Sequence, residues 1–107
     1  MEIEQAAQIV AEWCKEKCLI RRAHFFGSRV KGTQRCDSDL DIAIELMPNL
    51  DESEGLCTWM GQSDKWRDEL STLLPYKVQL EWNGAGQTQR IAGALAEASL
   101  LVYKNEI

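Results

Sequence analysis

The chain has 107 residues, a hydrophobic fraction of 45% and a formal net charge of −5, which suits one domain over residues 1–107 with a single modest core. It has no apolar run of 18 residues, and its first residues, Met1-Glu2-Ile3-Glu4-Gln5, are acidic rather than signal-like, so we expect a cytoplasmic protein without a membrane-spanning helix. The negative charge argues against a sequence-independent grip on long nucleic acid, and no sequence-specific nucleic-acid binding is expected.

The first third of the chain predicts a helix, a strand and a short helical turn. Apolar residues recur at three- and four-residue steps from Glu2 to about Lys17, which is typical of an amphipathic helix. Leu19 to Phe26 predicts a strand that ends at Gly27. Ser28 to Lys31 then predicts a short turn of helix, which Gly32 stops. The apolar positions of the first helix are Ile3, Ala6, Ala7, Val10, Trp13 and Cys14.

The middle of the chain predicts a strand, a loop, a long helix and a second strand. Apolar and polar residues alternate from Asp39 to Leu46, as in a half-buried strand. Met47 to Gly55 is predicted to be a loop, and helical spacing returns from about Leu56 to Leu74 before Pro75. Tyr76 to Trp82 alternates again. The core contacts expected from the long helix are Trp59, Trp66, Leu70, Leu73 and Leu74.

The last quarter predicts a loop over Asn83–Gly86, a helix from Thr88 to about Ala98 and a short extended piece, Leu101-Val102-Tyr103. The predicted order is therefore α-β-α-β-α-β-α. This order predicts the α+β class: a small mixed sheet covered by helices on one side.

A glycine-bounded turn followed by a pair of aspartates carries most of the functional information. Gly27 lets the backbone approach a ligand, and successive N–H groups in such a turn can bind an anion. Ten residues separate Ser28 from Asp39. Side chains two apart on a strand point the same way, so Asp39 and Asp41 can hold one divalent cation. Without the glycine turn, the two aspartates would indicate only a solvent-exposed strand face. The turn ahead of them favours a metal–nucleotide site.

The turn lies in a basic window. The chain from residue 21 to residue 35 contains no acidic residue and carries Arg21, Arg22, Arg29, Lys31 and Arg35. Basic residues here would suit phosphates beside the metal. The alternative is a chance cluster of surface arginines, which would be favoured without the turn, and a solvent-facing role for Lys31 is equally compatible.

The predicted strand from Tyr76 to Trp82 carries a third carboxylate. Glu81, with Gln79 two residues before it, faces away from the apolar side of its strand. Three carboxylates that converge from neighbouring strands would repel one another without a cation, which indicates Mg²⁺. A carboxylate near an attacking hydroxyl can also act as general base.

These residues resemble the signature of the minimal nucleotidyltransferases of the DNA polymerase beta superfamily. Gly27-Ser28, ten intervening residues and Asp39-Leu40-Asp41 match the pattern Gly-Ser-x10-Asp-x-Asp, and Arg29 and Gly32 fit its common extension. The resemblance implies a polymerase beta-like nucleotidyltransferase core. It also implies nucleotide binding by Gly27, Ser28 and Arg29, and Mg²⁺ binding by the two aspartates, with ATP as substrate.

The third acid departs from the family pattern. Relatives carry Asp in a Lys-Val-Asp-Leu context, and this chain has Lys77-Val78-Gln79-Leu80. We assign the missing role, as catalytic residue and third metal ligand, to Glu81. If Glu81 lies about 6–7 Å away, the rise of two strand residues, catalysis would be weak or absent.

The resemblance also implies a role. The chain ends soon after the expected catalytic core, so another molecule must present the acceptor hydroxyl. Stand-alone relatives resemble antitoxins that AMPylate a tyrosine of a partner HEPN ribonuclease, which predicts a toxin–antitoxin hetero-oligomer. The alternatives are a weak or inactive nucleotidyltransferase-fold protein that neutralises its partner by binding, favoured by Gln79, and nucleotidylation of a small molecule, disfavoured by length.

Other reactive or aromatic residues are expected to be structural. The four cysteines, Cys14, Cys18, Cys36 and Cys57, are predicted to be buried or part-buried free thiols, because no Cys-x-x-Cys pair is present. His24 is predicted to be structural rather than catalytic. The four tryptophans are predicted to anchor the core, although Trp59 or Trp66 could instead mark a partner surface.

Overall fold

The structure, a computed structural model, describes residues 3–32, 39–47, 52–82 and 99–105. Its elements, in chain order, are α1 (Ile3–Lys15), β1 (Ile20–Phe26), α2 (Ser28–Lys31), β2 (Leu40–Leu46), α3 (Glu52–Leu73), β3 (Val78–Trp82) and β4 (Ser99–Lys104). The predicted loop over residues 83–86 and the predicted helix over residues 88–98 lie outside the described residues. The α+β class is confirmed.

The described strands form one mixed sheet in the order β3-β2-β1-β4. β1 is antiparallel to both β2 and β4, whereas β2 and β3 are parallel. A parallel pair needs a crossover connection, which here contains α3. The end of β1 therefore meets the starts of β2 and β3 at one end of the sheet, where the glycine turn and the aspartate pair lie.

The core lies between one face of the sheet and the helices α1 and α3. Alternation along β2 buries Leu40, Ile42 and Ile44 on this face. The Trp13 and Trp66 rings meet edge to face, with centroids 6.0 Å apart, and join α1 to α3. The buried side chains that the two helices contribute are Ala6, Val10, Trp13, Cys14, Trp66 and Leu70, and Leu74 directly after α3 adds another.

Two predictions for the long helix were wrong. α3 begins at Glu52, so the predicted loop that ended at Gly55 was too long. Gly55 is a packing position in the helix, since a Cβ there would lie 3.2 Å from a ring carbon of Trp82. Leu73 is 49% exposed because residues 66, 70 and 74 form the stripe that faces the sheet, and Leu73 lies beside that stripe.

The cysteine prediction is confirmed for the free thiols and only in part for their burial. Cys14, Cys18 and Cys57 are free thiols, but only Cys14 is buried; Cys18 and Cys57 are exposed, so the predicted burial is wrong for these two. Cys36 lies outside the described residues. Burial raises the pKa of the Cys14 thiol to about 12, so this side chain behaves as a small hydrophobe. In the described part of the chain, no helix has the length and apolar content required to cross a membrane.

Candidate active site

A sharp turn joins β1 to α2 at Gly27, where φ is +82°. Glycine adopts this left-handed conformation without the steric cost that a Cβ brings. The Val30 N–H donates to the Gly27 carbonyl oxygen at 3.2 Å and closes the turn. The short helix is followed by Gly32, with φ of +79°. Both glycines of the motif therefore hold conformations that favour glycine.

The turn lies directly against the Asp41 carboxylate. Phe26, the last residue of β1, is the register partner of Asp41 in β2. A Cβ added to Gly27 would collide with Oδ2 of Asp41, so the missing side chain makes room for this carboxylate. The two halves of the sequence motif thus meet at one end of the sheet.

The aspartate pair lies at the start of β2. Asp39 immediately precedes the strand and Asp41 is half-buried within it, while Leu40 between them is buried in the core. Alternation along the chain places the two aspartates opposite Leu40. The Leu40 N–H donates to the Lys77 carbonyl oxygen at 2.8 Å, which aligns the start of β2 with the start of β3. The site therefore has two carboxylates, a number with which Mg²⁺ is commonly bound when phosphates supply further oxygens.

The register of β3 places Gln79, and not Glu81, level with Asp41. Gln79 is the direct partner of Asp41, and Glu81 is the partner of Ala43, two residues further along β2. The rise of two strand residues is about 6–7 Å. Within the described residues, no three histidine, cysteine, aspartate or glutamate side chains are placed to hold a metal ion together. The role of Glu81 stays a prediction, which depends on the reach of its longer side chain.

Arg29 extends from α2 toward the segment before β3. Its guanidinium carbon lies 4.1 Å from the centroid of the Tyr76 ring, well within the range of a cation–π contact. In the sequence, Tyr76 is marked only as the first residue of a predicted strand, and its aromatic character just before β3 is the one local signal of this contact. The side chains of Ser28 and Lys31, and all of Arg35, lie outside the described residues.

Part of the basic window serves a different purpose from phosphate binding. The Nε atoms of Arg21 and Arg22 lie 3.7 and 3.6 Å from Oε2 of Glu45, four residues along β2 from Asp41. These arginines thus belong to an ion-pair cluster away from the glycine turn. Sequence proximity grouped them with Arg29, and the register of β1 on β2 separates them.

His24 lies on the polar face of β1, between this cluster and the candidate site. Its Nδ1 atom is buried without a hydrogen-bond partner. Burial lowers the pKa of His24; the charge of Glu45 acts in the opposite direction, and the charge of Arg22 adds a smaller lowering. The imidazole is therefore neutral at pH 7, because its ordinary pKa already lies below 7.

The chain matches the model of one protein family. The family described as Polymerase beta, Nucleotidyltransferase matches residues 8–107, which includes every predicted site residue. No curated protein matches the chain in sequence at a significant level.

Three solved structures share the fold. A crystal structure of a toxin–antitoxin with AMP-PNP has a TM-score of 0.66 and 18% identity over 94% of this chain and 74% of that one. A mutant of the toxin–antitoxin MntA-HpeT has a TM-score of 0.64 and 17% identity over the same shares of the two chains. A candidate nucleotidyltransferase from Sulfolobus solfataricus has a TM-score of 0.58 and 20% identity, and the match covers 98% of this chain and 82% of that one.

Proposed function

Since the chain belongs to the Polymerase beta, Nucleotidyltransferase family, we propose that it is a Mg²⁺-dependent enzyme that moves AMP from ATP to a hydroxyl group of a partner protein. The observation that carries the proposal is the close approach of Gly27 to the Asp41 carboxylate. In the proposed site, this approach would bring the phosphates bound at the turn beside a carboxylate that holds the metal. A triphosphate–Mg²⁺ complex needs these two kinds of group side by side.

Each residue of the motif has a proposed role. The backbone around Gly27, the Ser28 hydroxyl and the Arg29 guanidinium would bind the triphosphate, and Asp39 and Asp41 would hold Mg²⁺. The ion, when bound, would neutralise charge that develops on the phosphate oxygens. Because Gly27 has no side chain, the phosphates can approach the turn closely.

The transfer itself is a substitution at the α-phosphorus. The acceptor hydroxyl oxygen forms a bond to this phosphorus, the bond to the oxygen that bridges the α- and β-phosphates breaks, and pyrophosphate leaves. The hydroxyl proton goes to a base, for which we propose the Glu81 carboxylate. A base of this kind typically contributes about 10²–10⁴-fold to the rate.

We propose that the acceptor is a tyrosine of a HEPN-type toxin, and that the chain works as an antitoxin in a hetero-oligomer with it. Two of the structures that share the fold come from toxin–antitoxin systems, one with AMP-PNP, and these support a partner protein and a nucleotide. The reaction would take place in the cytoplasm, where ATP is available and cysteine thiols stay reduced.

The test is transfer of labelled AMP from ATP to the co-expressed partner. Asp39→Ala and Asp41→Ala are expected to abolish labelling. Glu45→Gln is the matched control, since Glu45 lies on the polar side of the same strand but belongs to the arginine cluster; it should keep labelling. Labelling that survives both aspartate changes would exclude the proposed enzyme.

A second function, neutralisation of the partner by binding alone, is favoured by the placement of Gln79 beside Asp41. The two functions respond differently to substitution of β3. If Glu81 is the base, Glu81→Gln lowers the transfer rate about 100-fold or more. If the protein only binds, the wild type neutralises its partner without labelling it, and Gln79→Asp should introduce measurable transfer. An unchanged rate in Glu81→Gln would show that the base is elsewhere.

A further inference from the structure

The contact between Arg29 and Tyr76 joins two parts of the chain that are far apart in sequence. The guanidinium carbon lies 4.1 Å from the centroid of the Tyr76 ring, and both residues are half-buried. A guanidinium over an aromatic face at this distance is attracted by the negative face of the ring. Arginine has many rotamers, so the contact limits where its charge can lie.

The contact crosses the end of the sheet at the aspartate pair. α2 follows β1 and Tyr76 precedes β3, while β2 lies between these two strands. Neighbouring strands are about 4.8 Å apart, so β1 and β3 are separated by roughly 10 Å. The contact therefore spans the end of the sheet at which β2 begins with its aspartate pair.

The geometry of a guanidinium suits a second ligand. Its five N–H donors lie in its plane, at its rim, and a cation–π contact through the central carbon uses none of them. These donors match phosphate oxygens in a bidentate arrangement. A guanidinium held in this way can contact the ring and a phosphate at the same time.

We propose that Tyr76 is a positioning residue, which holds the Arg29 guanidinium across the end of β2 so that it binds the β- and γ-phosphates of a nucleoside triphosphate. The inference rests on the proposed function for the identity of the ligand. Tyr76, which lies outside the sequence motif, would thereby help the site to distinguish a triphosphate from a monophosphate.

The experiment measures binding to the purified chain with Mg²⁺, by calorimetry. The probes are α,β-methylene-ATP, whose α–β bridge resists transfer, and AMP. Tyr76→Leu should raise the Kd for α,β-methylene-ATP about threefold to tenfold and leave the Kd for AMP within about twofold. Tyr76→Phe keeps the aromatic ring and is the matched control; it should bind both probes like the wild type.

A double-mutant cycle separates positioning from a general structural effect. Arg29→Met should also raise the Kd for α,β-methylene-ATP, and Tyr76→Leu should have no further effect in that background. The inference is overturned if Tyr76→Leu weakens binding equally with Met at residue 29. It is also overturned if the wild type binds α,β-methylene-ATP no more tightly than AMP.

Circular dichroism checks that each variant is folded. If Tyr76→Leu does not fold, Arg29→Lys tests the same contact from the other side, because an ammonium group cannot make the planar bidentate contact. In Arg29→Lys, the ratio of the Kd for AMP to the Kd for α,β-methylene-ATP should fall at least threefold. An unchanged ratio would refute the inference. Since the probe resists transfer, this result is independent of whether the chain transfers AMP.

Discussion

Gly27→Ala is the most informative single substitution that the structure offers, because the chain supplies its own control. Gly27 and Gly32 have nearly the same backbone conformation, with φ of +82° and +79°. A Cβ at Gly27 would collide with the Asp41 carboxylate, whereas no atom of the described residues would lie within 4 Å of a Cβ at Gly32. The two alanine variants therefore share the backbone cost and differ in the collision.

The magnitudes can be worked out separately. Alanine in the left-handed region costs roughly 1–2 kcal/mol, so both variants should lose about that amount from the free energy of unfolding. In Gly27→Ala the Asp41 carboxylate must also move, and a misplacement of about 1 Å at a catalytic group can cost about 100-fold in rate. We expect Gly32→Ala to keep transfer within a few-fold, once equal amounts of folded protein are compared.

The assay combines urea unfolding with transfer of labelled AMP and with calorimetric binding of α,β-methylene-ATP in the presence of Mg²⁺. Unfolding measures the shared backbone cost, and the two functional assays measure the displacement of Asp41. If both variants lower transfer by the same factor, the close approach of Gly27 to Asp41 has no functional meaning. If Gly27→Ala keeps both binding and transfer, the assignment of the turn to the active site is wrong.

Two further predictions concern stability and are measured by urea unfolding. Glu69 accepts hydrogen bonds from Lys17 Nζ (2.7 Å) and Trp13 Nε1 (3.0 Å), and these bonds lower the pKa of Glu69 from its ordinary 4.5. Because the folded pKa is the lower one, this stabilisation is complete above pH 4.5 and is lost as the pH falls through the folded pKa. Glu69→Gln should therefore lower the free energy of unfolding by about 1–2 kcal/mol at pH 7 and by progressively less below pH 4.5. A cost that does not change with pH would contradict this reasoning. Leu70 is fully buried and Leu73 is 49% exposed, so Leu70→Ala should cost about 2–5 kcal/mol and Leu73→Ala about 0.5 kcal/mol or less; equal costs would show that Leu73 belongs to the core.

The local structure of the chain was largely predictable because short-range patterns specify it. Alternation in β2 and helical spacing in α1 gave those elements to within about two residues. The structure and the family match confirm the fold class that these patterns predicted. Gly55 shows where the patterns fail: glycine predicts the end of a loop here, whereas the structure has it within α3, packed closely against Trp82.

The sequence by itself determined the family and the residues of the motif, since a turn that needs glycine and two carboxylates at strand spacing are both local features. Only the tertiary structure decided which groups meet around them. The register of β3 on β2 placed Gln79 beside Asp41. The register of β1 on β2 placed Arg21 and Arg22 beside Glu45, away from the aspartate pair. The order of the strands brought the Tyr76 ring into contact with the Arg29 guanidinium. The alternation within each strand determines which face a side chain occupies, whereas the order of the strands and the partner of each residue come from contacts between distant segments.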